Sequence, residues 1–135
     1  MAVSKVLFGK TFNTTYSYNI AGQVTSIKYP SNKIVRTGYD LTGRLCVVAT
    51  TITDCNTFTR PYAKNYQYNA NTQETAFTYG NGVAASFLYS PDRMLLTSVS
   101  YLKGTNILFN LGYWYKMDSQ TVQREPPIVM AKSNA

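Results

Sequence analysis

A motif that returns along the chain limits the possible folds more than any composition figure does. Tyr16-Ser17-Tyr18-Asn19 is followed by Gly22, Val24 and Ile27; 21 residues after Tyr18, Tyr39-Asp40 is followed by Gly43, Leu45 and Val48 at the same offsets. A weaker copy begins at Tyr66-Gln67-Tyr68-Asn69, and another at Phe87-Leu88-Tyr89-Ser90, which runs on through Pro91 and Asp92. A last echo stands at Tyr113-Trp114-Tyr115. Self-similarity at a fixed short period marks an architecture built from one supersecondary unit that buries its apolar side only against its neighbours.

The unit has a physical reading. Asn or Asp at the first position of a turn, with Gly at the fourth, suits a type I turn closed by a residue of positive φ. The Asn or Asp side chain caps the turn, and glycine takes the left-handed conformation without a Cβ penalty. The result is a short hairpin connection with a bulge at the glycine. Return connections are expected at Tyr29-Pro30-Ser31-Asn32-Lys33, where Asn32 tolerates positive φ, and at Tyr79-Gly80-Asn81-Gly82-Val83, where Asn81-Gly82 reads as a two-residue hairpin turn.

Strands are therefore expected over residues 14–19, 23–29, 34–39, 44–52, 64–68, 75–79, 84–89, 95–102 and 107–116, and no segment has a helical period. Residues 53–63, with Arg60-Pro61, read as the longest loop. The fold class that follows is all-β: an antiparallel meander of hairpins forming a curled sheet or partial barrel, one domain over residues 1–124, with an irregular tail over 125–135. Twelve tyrosines suit this reading, because an aromatic body packs on a pleated surface while the hydroxyl reaches water or a backbone group.

The motif resembles the YD repeat, also called the RHS repeat, whose signature is roughly aromatic-x-Tyr-Asp-x-x-Gly-x-Leu. Tyr39-Asp40-Leu41-Thr42-Gly43-Arg44-Leu45 matches it closely, and Tyr18-Asn19-Ile20-Ala21-Gly22-Gln23-Val24 matches with Asn for Asp. The later copies lack the turn glycine. The resemblance implies hairpins that spiral, in long arrays, into hollow β-shells of polymorphic toxins, insecticidal toxin complexes and cell-surface adhesion proteins. Such shells enclose a cargo or bind surface glycans, and members of the family are often secreted or surface-associated. Four or five repeats are too few for a closed shell, so the expectation is a non-catalytic module, part of or derived from one. An open array leaves sheet edges, for which self-association into a homo-oligomer is the expected remedy.

The sequence also excludes chemistry. With no histidine among 135 residues, Ser-His-Asp and Cys-His catalysis and His-ligated metals have no basis. No phosphate loop and no CxxC occur, and no run approaches membrane-spanning length. The N-terminal residues lack a hydrophobic stretch of signal-peptide length. Cys46 and Cys55 either close a short loop or stand as a buried small hydrophobe and a loop thiol. The net charge of +7, from 13 Lys and Arg against 6 Asp and Glu, is spread singly along the chain, which reads as solvated sheet edges more than as a nucleic-acid patch.

Two candidate sites remain. Tyr113, Trp114 and Tyr115 form the best binding feature, because aromatic faces stack on sugar rings in a basic surround; the competing reading is that Tyr113 and Tyr115 fill the core. No cofactor is expected for a binding module. The alternative is a small hydrolase acting on an ester or lactone, in which Asp40, Asp54 and Asp92 hold Ca²⁺; the competing reading is that these are turn and loop carboxylates.

Overall fold

The computed structural model describes residues 1–115 and the backbone of residues 122–124; the expected tail over 125–135 lies outside the described residues. Among the described residues every regular element is a strand: β1 (Ala2–Leu7), β2 (Lys10–Tyr18), β3 (Val24–Lys28), β4 (Ile34–Tyr39), β5 (Leu45–Ile52), β6 (Phe58–Tyr68), β7 (Glu74–Tyr79), β8 (Val83–Tyr89), β9 (Leu96–Lys103), β10 (Asn106–Tyr115) and β11 (Val122–Arg124). The chain forms two compact units, Met1–Tyr66 and Gln67–Ala135. Within each, strands pair in chain order as an antiparallel meander whose order is open rather than circular.

The turns form as the motif requires. Asn19 Oδ1 accepts hydrogen bonds from the backbone N–H groups of Ala21 (3.0 Å) and Gln23 (2.9 Å), and the Gly22 N–H donates to the Asn19 carbonyl (3.0 Å). Asp40 repeats the pattern with Thr42, Arg44 and Gly43. Gly22 and Gly43 sit at φ +76° and +80°, and the ladder slips by one residue beside each, at Tyr18 and Tyr39. In the third copy Asn69 caps the same turn, but Thr72 stands where glycine stood, at φ +61°. The fourth is longer, and Met94 takes the left-handed position at φ +55°. Asn32 does so at φ +63° in the first return turn. The second return turn places Gly82 at φ +85° with its N–H on the Tyr79 carbonyl (3.0 Å). Since Asn81 keeps negative φ, this is again the type I turn with a closing glycine, not a two-residue turn.

Two further expectations change. Residues 2–12 contain a further hairpin, β1 with the start of β2, joined through Phe8 (φ +49°) and Gly9 (φ +73°). Phe-Gly lacks the usual two-residue turn signature, so nothing in the sequence announced it. The loop expected over 53–63 shrinks to 53–57, because β6 begins at Phe58 and pairs it with Ile52. Pro61 enters this strand at a bulge, opposite Ala49 and beside Arg60 at φ +48°. A bulge is where a sheet tolerates a residue without an N–H. Cys46 and Cys55 are joined as a disulfide across the shortened loop, with Sγ atoms 2.01 Å apart.

Burial is shallow. In the first unit Val47, Ala49 and Ala63 are buried, and in the second Ala85 and Val99. Val47 reaches complete burial because its cross-strand partner is Gly38, where a Cβ would lie 2.8 Å from Val47 Cγ1. In the second unit an aromatic ladder, Phe87–Phe77–Tyr79–Tyr101–Phe109, crosses the sheet with ring centroids 4.8–6.3 Å apart. Offset and edge-to-face pairs of this kind add to the stabilisation that their buried area provides.

Candidate functional site

The motif tyrosine is the joint between hairpins. The Tyr39 hydroxyl donates to the Val24 carbonyl (2.9 Å), Tyr89 to Glu74 (2.9 Å) and Tyr115 to Leu96 (2.8 Å). Each acceptor is the backbone oxygen near the start of the strand beside the one that ends in the tyrosine. Tyr18 holds the equivalent place, with its hydroxyl against the Met1 sulfur (3.9 Å). A second link joins neighbouring turns: Gln23 Nε2 donates to the Gly43 carbonyl (2.6 Å) and Gln73 Nε2 to that of Met94 (2.8 Å). Asn19 and Asn69 aim these amides by donating to the Gln side-chain oxygens, both at 2.9 Å. Sequence reasoning did not single out Gln23 and Gln73; their shared offset of four residues from the turn Asn was the available signal.

These contacts account for much of what the candidate residues do. The Tyr115 hydroxyl is engaged in a joint, and Tyr113 is half-buried. Trp114 faces the other way and is 53% exposed, its indole laid across Gly112, where a Cβ would meet the ring at 2.8 Å. Asp40 is occupied by its turn: Oδ1 accepts from the Thr42 hydroxyl (2.7 Å), and Arg44 reaches Oδ2 through Nε and Nη2, both at 2.9 Å. The Thr42 hydroxyl and the Arg44 backbone N–H hold this carboxyl well below the usual carboxylate range. Asp54 caps the short loop, accepting from the N–H groups of Asn56 (2.7 Å) and Thr57 (2.8 Å), which lowers its pKa as well. Asp92 is exposed, 3.8 Å from Arg93 Nε. Among the described residues no three of His, Cys, Asp and Glu gather closely enough to share an ion.

A different site emerges in the first unit. A groove of about 1100 Å³ runs over β2, the β3–β4 turn, β4, β5 and β6. Val35 and Val48 floor it, Phe12, Tyr29 and Tyr62 supply aromatic walls, and Lys10, Lys33, Thr11 and Ser31 supply its polar groups. Phe12 and Tyr29 are each 41% exposed, and Lys33 Nζ stands 4.8 Å from the Tyr62 ring centroid, a cation–π distance. No carboxylate lines the groove. Its residues are spread from position 10 to position 62, so no local stretch of sequence revealed it. Charge counted by halves was the overlooked signal: residues 1–66 carry eight Lys and Arg against two Asp and Glu, while residues 67–135 carry five against four.

No helix among the described residues is long and apolar enough to cross a membrane. No family model and no curated protein matches the sequence. The fold does have solved counterparts. The chain is similar to TcdB2-TccC3-Cdc42, with a TM-score of 0.70, 21% identity, and coverage of 85% of this chain and 6% of that one. It is similar to TcdB2-TccC3, with a TM-score of 0.68 and 23% identity over 79% of this chain and 5% of that one. The Tc holotoxin pore of Photorhabdus luminescens, with a substitution in TccC3, gives a TM-score of 0.70 and 21% identity over 85% and 5%. The chain thus shares the fold of a stretch of Tc toxin chains and spans about one-twentieth of their length.

Proposed function

We propose that this chain is a non-catalytic YD-repeat module, part of or derived from the wall of a toxin or cell-surface shell, which binds or encloses a partner. The tyrosine joint carries this reading. It recurs at Tyr39, Tyr89 and Tyr115 and in these three falls on a backbone oxygen, as a device for setting hairpins side by side does. The likeness to Tc toxin chains and the YD-type motif support the same conclusion, as does a sheet whose few buried residues leave its faces open to other surfaces. Association of copies through the edge of β1, which exposes Val3, Val6 and Leu7, belongs to this reading.

An ester and lactone panel run with Ca²⁺ and again with chelator tests the non-catalytic character: no turnover is expected in either arm, and chelator-sensitive turnover would overturn the proposal. Light scattering should show a mass rising with concentration above the 15.1 kDa of one chain. The joint itself is tested by Tyr89→Phe, which removes one hydroxyl and should cost about 1 kcal/mol in a denaturant melt. An unchanged midpoint would show that the joint holds nothing.

A further inference from the structure

We infer that the tip of the β1–β2 hairpin is an anchor for an anionic lipid surface, with the Phe8 ring entering the interface and Lys5 and Lys10 meeting the headgroups behind it. This goes beyond the shell-module reading and does not depend on it. Phe8 breaks two preferences at once. Its φ of +49° is followed by +73° at Gly9, between the paired residues Leu7 and Lys10. Two successive positive φ values are the pattern of a type I′ turn, whose first central position favours Asn, Asp or Gly because a bulkier side chain is strained there. The same residue is 98% exposed, so the whole ring lies in water. Neither the turn nor the core gains from an aromatic at this place. Strain and apolar exposure on one residue point together to a partner that covers it.

The position of the tip and its surroundings select the partner. The β2–β3 ladder stops at the pair Thr15 and Lys28, so the hairpin runs on from Thr15 to Lys10 as a two-stranded ribbon, about 17 Å at roughly 3.4 Å per residue. Val6 and Leu7, next to the ring in the chain, are exposed as well. Lys5 pairs with Phe12 and Lys10 with Leu7, so both ammonium groups share one face of the ribbon with apolar side chains. On the other face the Ser4 hydroxyl donates to Asn13 Oδ1 (2.5 Å), which engages those two polar groups with each other. The tip therefore presents hydrocarbon in front and ammonium set back from it. An anionic bilayer has the complementary layers, acyl chains beneath and negative headgroups above. A phenyl ring reaches the acyl boundary within the ~5–10 Å depth of interfacial segments, and lysine stems bend their charges back to the headgroups. The charge of the region fits too, for residues 1–39 hold five Lys and Arg and no Asp or Glu. Single-stranded nucleic acid asks for a row of rings and cations along its length; a bilayer asks for neither. A further strand added along β1 would pair its outer backbone groups and leave the Phe8 ring beyond the last pair.

Flotation of the full chain with vesicles of equal parts phosphatidylserine and phosphatidylcholine, and with vesicles of phosphatidylcholine alone, tests the anchor. The expected result is binding to the anionic vesicles, weakened by added salt, and far weaker binding to the neutral ones. Phe8→Asn carries the decisive contrast, because Asn is the residue this turn position favours. It should leave the thermal midpoint unchanged or raise it, yet weaken vesicle binding by about tenfold as the ring is lost from the interface. Lys5→Gln with Lys10→Gln should weaken binding by about thirtyfold and remove most of the preference for phosphatidylserine. Self-association measured by light scattering should be the same in Phe8→Asn as in the parent, which separates the tip from the β1 edge. Failure to bind either vesicle would overturn the proposal, as would equal binding by Phe8→Asn and the parent. A midpoint that falls in Phe8→Asn would show that the ring serves the fold and would overturn it too. Binding that survives Phe8→Asn but is lost in Leu108→Asn would move the anchor to the β9–β10 hairpin, where Leu108 is exposed, and overturn the assignment to this tip. Binding of oligothymidylate tighter than of any vesicle, and lost in Phe8→Asn, would give the tip to nucleic acid instead.

Discussion

The two units close their motif turns with different residues. In the first, Gly22 and Gly43 take the left-handed position, at φ +76° and +80°; in the second, Thr72 and Met94 take it, at +61° and +55°. For a residue with a Cβ this conformation costs about 1–2 kcal/mol, and most of all for a β-branched one such as threonine. The first unit also carries the disulfide, the basic excess and the groove; the second relies on its aromatic ladder. At Asn19, Asp40 and Asn69 the turn is thus set by the cap and the strands it joins, and glycine lowers its cost without being indispensable.

The largest expected effect comes from removing what only the first unit has. Reducing Cys46–Cys55, or the pair Cys46→Ser and Cys55→Ser, should destabilise by about 3 kcal/mol for a loop of this size. Hydrogen exchange on the full chain should show protection falling in β5 and β6 but holding in β8 and β9. Equal loss in both would show that the units unfold together, and the contrast would fail.

Exchanging the turn residues comes next. Gly43→Val forces a β-branched residue to φ +80° and should cost about 1–3 kcal/mol in a thermal melt. A variant as stable as the parent would mean the turn relaxes to another form. The reverse change, Thr72→Gly, should stabilise. Relief of the left-handed strain exceeds the extra unfolded-state entropy of glycine by about 0.5 kcal/mol. Destabilisation there would mean that the threonine hydroxyl, which donates to the Asn71 carbonyl (2.6 Å), matters more than φ.

The smallest effect separates the caps by pH. Asp40 has its folded-state pKa depressed below the ordinary 3.8, chiefly by the Thr42 hydroxyl and the Arg44 N–H. Its contribution is present above the unfolded value and is lost as pH falls towards the folded one. Asn69 caps the equivalent turn in the second unit without a titrating group. Acidification should therefore speed amide exchange at Thr42 and Arg44 relative to Asn71 and Gln73, beyond the intrinsic pH dependence. Asp40→Asn should abolish the difference; a difference that persists in that variant would assign it to another group.

Local patterns carried most of the fold. Strand β4 runs over residues 34–39 as expected, and the turns at Asn19 and Asp40 close on their glycines, because each rests on residues fewer than ten positions apart. The sequence misled where a rule has an exception that only tertiary context reveals. Arg60-Pro61 looked like a loop until a bulge in the partnered strand removed the need for the proline N–H. Phe8-Gly9 makes a hairpin turn with no signature of its own. The candidate site was less legible still. Tyr115 was singled out for its ring, yet its hydroxyl serves a joint to Leu96. The groove draws Phe12 from β2, Tyr29 and Lys33 from the β3–β4 turn and Tyr62 from β6, and no short window along the chain contains all four.

The acceptors of the tyrosine joint are the backbone oxygens of Val24, Glu74 and Leu96, two aliphatic residues and an acidic one. A contact made to the main chain asks nothing of the side chain on the receiving hairpin, so any copy that ends in tyrosine can dock on any other. The joints are interchangeable. Duplication or loss of one segment leaves the surviving junctions complete, and the receiving positions are free to diverge. An array of this design can change its length by recombination between copies, with each new hairpin arriving already fitted to its neighbour.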